Sequence, residues 1–267
     1  MTPPTTSPLE ANSDSGSAMA RLLPTLFSSL TLSLARTGSA PTTPTRWTLR
    51  RTLKSENPND IQGELHGSAS FAPLRPTPTT SSSTPTSKST SDINADTATT
   101  TTTATDDTKE TETKYKDLLY SEEGSLPPIP TLNLGAGLRW TKKYIWRLSN
   151  DGRISVWFVK VDKTIKDGEE EADYLFHEFD FITGSESSGD EKFVEPPTPP
   201  EVRLEGGRGT RVLAARGNHL CINDMYRTAY AFRVDEGSGE VVSWASRHVV
   251  KGPKKGQDIV NIYERGV

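Results

Sequence analysis

The chain is poor in the residues that most enzyme chemistry requires. One cysteine, Cys221, in 267 residues excludes an internal disulfide and any multi-cysteine metal site. There are only four histidines, and no P-loop, G-x-S-x-G, H-E-x-x-H or dinucleotide fingerprint occurs. Hydrophobic residues make up only 32%, and no apolar run is long enough to span a bilayer. A net charge of -4 without a long basic stripe argues against a nucleic-acid partner. The absence of disulfides and of N-x-[ST] sequons favours a reducing, cytoplasmic location. The alternative is mitochondrial targeting from a start at Met19, since Met19-Ala20-Arg21 precedes an apolar segment while the true amino terminus carries Glu10 and Asp14.

What is abundant is Thr, Ser and Pro, gathered in blocks. Residues 1–20, about 76–113 and about 184–209 cannot bury enough apolar surface to offset the entropy of ordering them. The first reads as a disordered tail. The other two read as low-complexity insertions in a single domain over 21–267, tolerable because doubling a flexible loop costs only about 0.6 kcal/mol. Within Leu22 to Leu34, Leu22, Leu26, Leu30 and Leu34 recur every fourth residue. Pro24 suits a first helical turn, so a short amphipathic helix is expected there.

The remainder runs on a beat of two, the period of strands with one buried face. Trp47, Leu49 and Leu53 share a face, with Thr48, Arg50 and Thr52 opposite. Strand candidates follow at Glu64 to Ala72, where Gly67 suggests a bend, and at Tyr115 to Glu123. Leu138, Trp140, Lys142, Tyr144, Trp146 and Leu148 alternate cleanly up to Asn150-Asp151-Gly152, a hairpin signal. Arg153 to Val161 returns, and Asp173 to Ile182 and Arg211 to Arg216 come next. In the terminal group Tyr226, Thr228, Tyr230, Phe232 and Val234 keep the beat, then Trp244, Ser246, His248 and Val250, then Ile259 through Tyr263 and Arg265. Roughly eight to ten antiparallel strands with one helix and no βαβ rhythm predict an all-β fold, a closed barrel or a sandwich.

Several short motifs recur in a fixed order. They are Trp47-Thr48-Leu49-Arg50, Gly67 to Phe71, Glu123-Gly124, Lys143-Tyr144-Ile145-Trp146-Arg147 and Phe176-His177-Glu178-Phe179-Asp180-Phe181. His219-Leu220-Cys221, Asp224, Tyr226, Gly252-Pro253, Lys255, Tyr263 and Arg265 complete the set. Together they resemble a family of domains of unknown function with a lipocalin-like (calycin) β-barrel, found in bacteria and fungi. Phe27 and Leu30 would match the helix before its first strand. The long tract before Tyr115, Gly256-Gln257 and Lys143 in place of an arginine depart from the pattern. The resemblance implies a barrel and a pocket, and no activity.

Candidate functional groups follow from polarity in buried-looking places. His219 and Cys221 share one side of a strand, with Asp224 beginning the next beat. Such a set can activate a thiolate, but a small buried thiol with His219 and Asp224 bonded to backbone explains it equally. His177 shares a face with Phe179 and Phe181, while Asp180 lies opposite with Phe176 and Glu178; this is either a satisfied core histidine or a ligand contact such as a haem ligand. Tyr120, Tyr144, Trp146, Tyr226 and Tyr230 line a cavity or fill a core. Lys255 and Arg265, with Arg50, either anchor an anion or, for Arg265, pair with Glu122 or Glu123 to close the barrel.

The reading reached is a soluble barrel binding a small hydrophobic or amphipathic ligand without catalysis and without a cofactor. Its candidate contacts are His177, His219, Cys221, Asp224, Tyr226, Tyr144, Trp146, Lys255 and Arg265. Beside it stand an enzyme using His177 or His219 as acid/base with a Tyr or Asp, and a scaffold whose Thr/Pro insertions recruit protein partners.

Overall fold

In a computed structural model the described residues are 11–31, 46–74, 115–126, 139–161, 169–182, 193–253 and 255–266. Helix α1 (Ala11–Ser29) is followed by eleven strands, β1 (Arg46–Ser55), β2 (Gly63–Pro73), β3 (Tyr115–Ser125), β4 (Arg139–Ser149), β5 (Ile154–Val159), β6 (Ala172–Glu178), β7 (Asp180–Phe181), β8 (Thr210–Cys221), β9 (Asp224–Asp235), β10 (Val241–Gly252) and β11 (Lys255–Arg265). Every pair of neighbours is antiparallel, in the order β6-β5-β4-β3-β2-β1-β11-β10-β9-β8-β7.

The two ends of that order, β6 and β7, are separated in the chain by Phe179 alone. One broken stave therefore pairs with β5 through its first half and with β8 through its second, and this brings the barrel nearly to closure. The Phe179 N–H donates to Ile154 O at 2.8 Å at the crossing. Near-closure shortens the exposed edges that an open sheet would present. Opposite the crossing, Gly217 on β8 lets the strands approach: a Cβ there would lie 2.5 Å from the His177 ring and 2.9 Å from Glu178 O.

Parity does the rest. Trp47, Leu49 and Arg51 on β1 are buried while Arg46, Thr48 and Arg50 between them are exposed. The lower half of the interior is filled by Trp47, Phe71, Trp146, Phe232 and Trp244, all at most 3% exposed. The expected hairpin at Asn150-Asp151-Gly152 joins β4 to β5, with Gly152 at a positive φ of 81°.

Helix α1 plugs the lower end. Leu23, Leu26, Phe27 and Leu30 are buried in the core, and Trp47 Nε1 donates to Leu30 O at 3.2 Å. Ser29 Oγ donates to Leu26 O and accepts from the Val241 N–H, tying the helix to β10. The face differs from the expected one at Leu22, Leu26, Leu30 and Leu34. A strict spacing of four drifts about 40° per step around a helix, whereas 23, 26, 27 and 30 stay on one stripe. The helix also begins at Ala11, so Pro24 sits inside it rather than in its first turn; Leu34 lies outside the described residues. No helix among the described residues is long and apolar enough to cross a membrane.

Of the expected insertions, residues 76–113 and 184–192 lie outside the described residues. Residues 193–209 are anchored to the barrel wall. Arg233 donates to Pro200 O at 2.8 Å and Pro199 O at 3.1 Å, Ser243 Oγ donates to Pro200 O, and the Arg216 guanidinium stacks on the Phe193 ring. Prolines offer no N–H but keep a strong carbonyl acceptor, so side chains of β9 and β10 can hold a segment whose composition alone forecasts no order.

The closure makes Gly217→Ala a sensitive test. The new methyl meets backbone and ring together and cannot be accommodated by rotating one side chain, so a loss of about 1–3 kcal/mol is expected in urea unfolding. An unchanged midpoint would show that β8 and β6 do not approach this closely.

Candidate functional site

The upper half of the barrel is hollow. A cavity of about 230 Å³ is lined by nineteen residues of β1, β3–β6 and β9–β11. Its wall divides into two chemistries. Tyr144, Phe158, Phe176 and Tyr226 form an aromatic side, with Trp146, Tyr230 and Trp244 beneath. Tyr144 and Phe176 stack at 5.8 Å, and Phe158 and Phe176 meet edge-on at 5.0 Å.

The other side is a buried polar network centred on an ion pair. Arg51 and Glu122 have side chains 7% and 2% exposed. Arg51 Nη2 donates to both Glu122 oxygens, at 2.8 and 2.9 Å, and Nε donates to Asn261 Oδ1 at 2.6 Å. Asn261 Nδ2 donates to Ser246 Oγ at 3.0 Å, which lies 3.2 Å from His248 Nε2. Tyr120 OH donates to Glu122 Oε2 at 2.5 Å and lies 2.9 Å from Tyr263 OH. The Trp140 ring covers the guanidinium at 4.5 Å. Two buried charges without these bonds would lose several kcal/mol to desolvation; with them the pair is sustained.

Protein surrounds the titratable groups of this wall, and their pKa values move accordingly. Burial raises Tyr120, Tyr230 and Tyr263, and raises Tyr144 to about 12. All four are neutral donors at ordinary pH. Burial, then the His177, Lys142 and Arg51 charges, hold His248 well below its usual range, so it is a neutral imidazole. Part of its surface is accessible only because it faces the void. Lys142, two residues from Trp140 and opposite Glu122 in the β3–β4 register, also lines the cavity. Desolvation and the Arg51 charge lower its pKa.

Among the residues expected from sequence, Tyr144, Trp146 and Tyr226 line the cavity. His177 does not: it is 2% exposed behind the wall, with Nε2 3.0 Å from Tyr230 OH. Burial, with a smaller push from His219, lowers its pKa to about 3. The expected division of β6 fails at a bulge. The β5–β6 register steps from Val156↔His177 to Trp157↔Leu175, so Phe176 is an extra residue and both Phe176 and His177 turn inward. His219 stands near the rim, its ring 5.4 Å from Phe176 and 6.1 Å from Tyr226.

Cys221, His219 and Asp224 do not form a relay. Cys221 and Asp224 face each other across a tight turn, and the Asp224 carboxylate pairs with Lys255 Nζ at 2.9 Å. Lys255 also reaches Tyr226 OH at 3.4 Å, so it braces the rim. Arg265 is at the opposite end of the barrel. It binds the carbonyls of Ser29 and Val241 and lies over Trp47, and it pairs with neither Glu122 nor Glu123. Glu123 is instead held outside by Arg46 and Arg139. Arg50, offered as an anion contact, is exposed on the outer face; its neighbour Arg51 is the inward arginine.

Two measurements probe this wall. Replacing Arg51 or Glu122 alone by Leu strands a buried charge and costs about 3–5 kcal/mol, whereas the double variant regains much of that loss; additive losses in urea unfolding would mean the pair is not buried as described. For His177, the folded pKa is depressed, so below about 6.5 the unfolded chain binds a proton that the folded chain refuses. Stability then falls by up to about 1.4 kcal/mol per pH unit as pH drops from about 6.5 towards about 3. The melting temperature of His177→Phe is therefore expected to depend less steeply on pH than that of the native chain between pH 6.5 and 4.5; parallel curves would place the titrating groups elsewhere.

No curated protein and no solved structure matches the chain. A family described as a family of unknown function (DUF6314) matches residues 44–265. Every residue that lines the cavity falls inside that stretch, and α1 precedes it. On that match, covering most of the sequence, the chain belongs to the DUF6314 family of unknown function.

Proposed function

We propose that this barrel is a binding protein for a small amphipathic organic molecule, held in the upper cavity. The observation that carries the proposal is the division of that cavity into an aromatic wall and a polar wall around Arg51 and Glu122. Ligand pockets are typically apolar concavities with a few fixed polar groups that orient the guest. At about 10–15 Å³ of such space per water position, 230 Å³ suits a ligand of roughly fifteen to twenty non-hydrogen atoms.

Binding without chemistry is favoured by where several of the reactive-looking side chains sit. Asp224 is engaged by Lys255, and His177 by Tyr230, away from the cavity lining. His248, which does line it, is bonded to Ser246 and is held neutral by its surroundings. The fixed polar groups supply orientation, and the tyrosine and phenylalanine faces supply most of the apolar contact.

The test is native mass spectrometry of the purified full chain together with melting curves against ten-carbon amphiphiles. A ligand at one hundred times its Kd adds about 2.7 kcal/mol to stability, a rise of several degrees. Ile259→Trp, which places an indole into the void, is expected to abolish that rise while the protein still melts cooperatively. Equal stabilisation of the native and filled proteins would overturn the assignment of the cavity.

A further inference from the structure

The polar wall carries more positive than negative charge. Among the described residues its ionised members are Arg51 and Lys142 against Glu122. Glu122 is fully committed: Oε1 accepts from Arg51, and Oε2 accepts from Arg51 and Tyr120. A guanidinium has five N–H donors in a planar fork. Arg51 spends Nε on Asn261 and Nη2 on Glu122, and its Nη1 has no hydrogen-bond partner among the described residues. Lys142 Nζ likewise makes no ion pair or hydrogen bond among the described residues, although its strand position places it opposite Glu122.

From these unspent donors we infer that the ligand is a monocarboxylic acid, its carboxylate bridging Arg51 Nη1 and Lys142 Nζ and its apolar part lying against Tyr144, Phe158, Phe176 and Tyr226. The inference rests on the proposed binding role of the cavity and specifies the headgroup. One negative charge brings the lining to neutrality. A dianion would leave a surplus beside Glu122, and an amine would bring a third cation into the same space. A carboxylate has two oxygens with lone pairs enough for a guanidinium edge and an ammonium together, and such charge-assisted bonds are roughly twice as strong as neutral ones. The pKa of Lys142 is lowered, first by desolvation and then by the Arg51 charge, with the Glu122 charge acting in the opposite direction.

Arg51 is unsuitable as the test variant because its loss unpairs Glu122. Lys142 has solvent-exposed surface and no partner among the described residues, so Lys142→Met removes the charge and keeps the stem. Calorimetric titration of the full chain with decanoate, decanol, decylamine and decyl phosphate separates the possibilities. The expected result is decanoate binding about tenfold more tightly than decanol, with decylamine weaker than both and decyl phosphate no better than decanoate. Lys142→Met should weaken decanoate about tenfold and leave decanol unchanged. Equal affinities for acid and alcohol, or no effect of Lys142→Met, would overturn the carboxylate assignment while leaving the cavity reading intact. Preference for decyl phosphate would replace a monoanion by a dianion, and failure of all four to bind would remove both proposals.

Discussion

The interior of this barrel is organised by one ion pair. Arg51 and Glu122 sit on inward positions of β1 and β3, with β2 between them in the sheet. Their charges cannot be left bare there, because moving each out of water costs several kcal/mol even after relaxation. The surrounding residues follow from that need. Asn261 takes the second guanidinium edge, Tyr120 takes the second carboxylate oxygen, and Trp140 covers the guanidinium face. Trp140 fits only because Gly124, across from it on β3, has no side chain: a Cβ would lie 2.5 Å from the indole. Each polar group added in this way is fixed by direction as well as by contact. A wall built so cannot collapse onto the opposite side as an apolar core would, and the void between the walls is the consequence.

Strand parity made most of the architecture legible. The beat of two placed Trp47, Leu49, Trp146, Phe232 and Trp244 inside, and the Asn-Asp-Gly turn joins the strands it was expected to join. The same beat contained the polar wall. Arg51 is two residues after Leu49, Glu122 two after Tyr120, Lys142 two after Trp140, and Asn261 two before Tyr263. Taking Arg50 rather than Arg51 as a candidate anion contact missed the inward beat by one residue, and such a slip exchanges interior for exterior. Charged side chains on an inward beat are uncommon in a packed core, and a barrel with a hollow interior is where they can be sustained.

Other features were not legible because they depend on partners distant in sequence. The bulge at Phe176 is fixed by the register of β5 against β6, and the passage of the chain from β5 to β8 by a single residue, Phe179. Local alternation therefore put Phe176 and His177 on opposite faces, whereas both are buried. Asp224 was read beside His219 and Cys221, its neighbours in sequence. Its actual partner is Lys255 on β11, two places from Asp224's own strand β9 in the sheet. The segment at 193–209 was read from composition, which records the scarcity of apolar residues but not the arginine of β9 that holds its carbonyls.

The division of labour along the barrel axis bears on how the cavity could be tuned. The helix, Trp47, Arg265 and the aromatic floor fill one end, where Ser29 bonds Val241 and Arg265 Nη2 bonds the Ser29 and Val241 carbonyls, while Arg265 Nε and Nη1 have no hydrogen-bond partner among the described residues. None of the described side chains of α1 lines the cavity. The unspent donors, Arg51 Nη1 and Lys142 Nζ, belong to β1 and β4 above that floor. Substitutions in the helix therefore act on stability through packing, while under the proposed binding role headgroup preference would be set by which charges occupy the inward beats of β1, β3 and β4. Because Arg51 and Glu122 hold each other, Lys142 is the position at which the charge of the cavity can change without dismantling the pair, and under the proposed binding role it is where ligand class would diverge on an unchanged barrel.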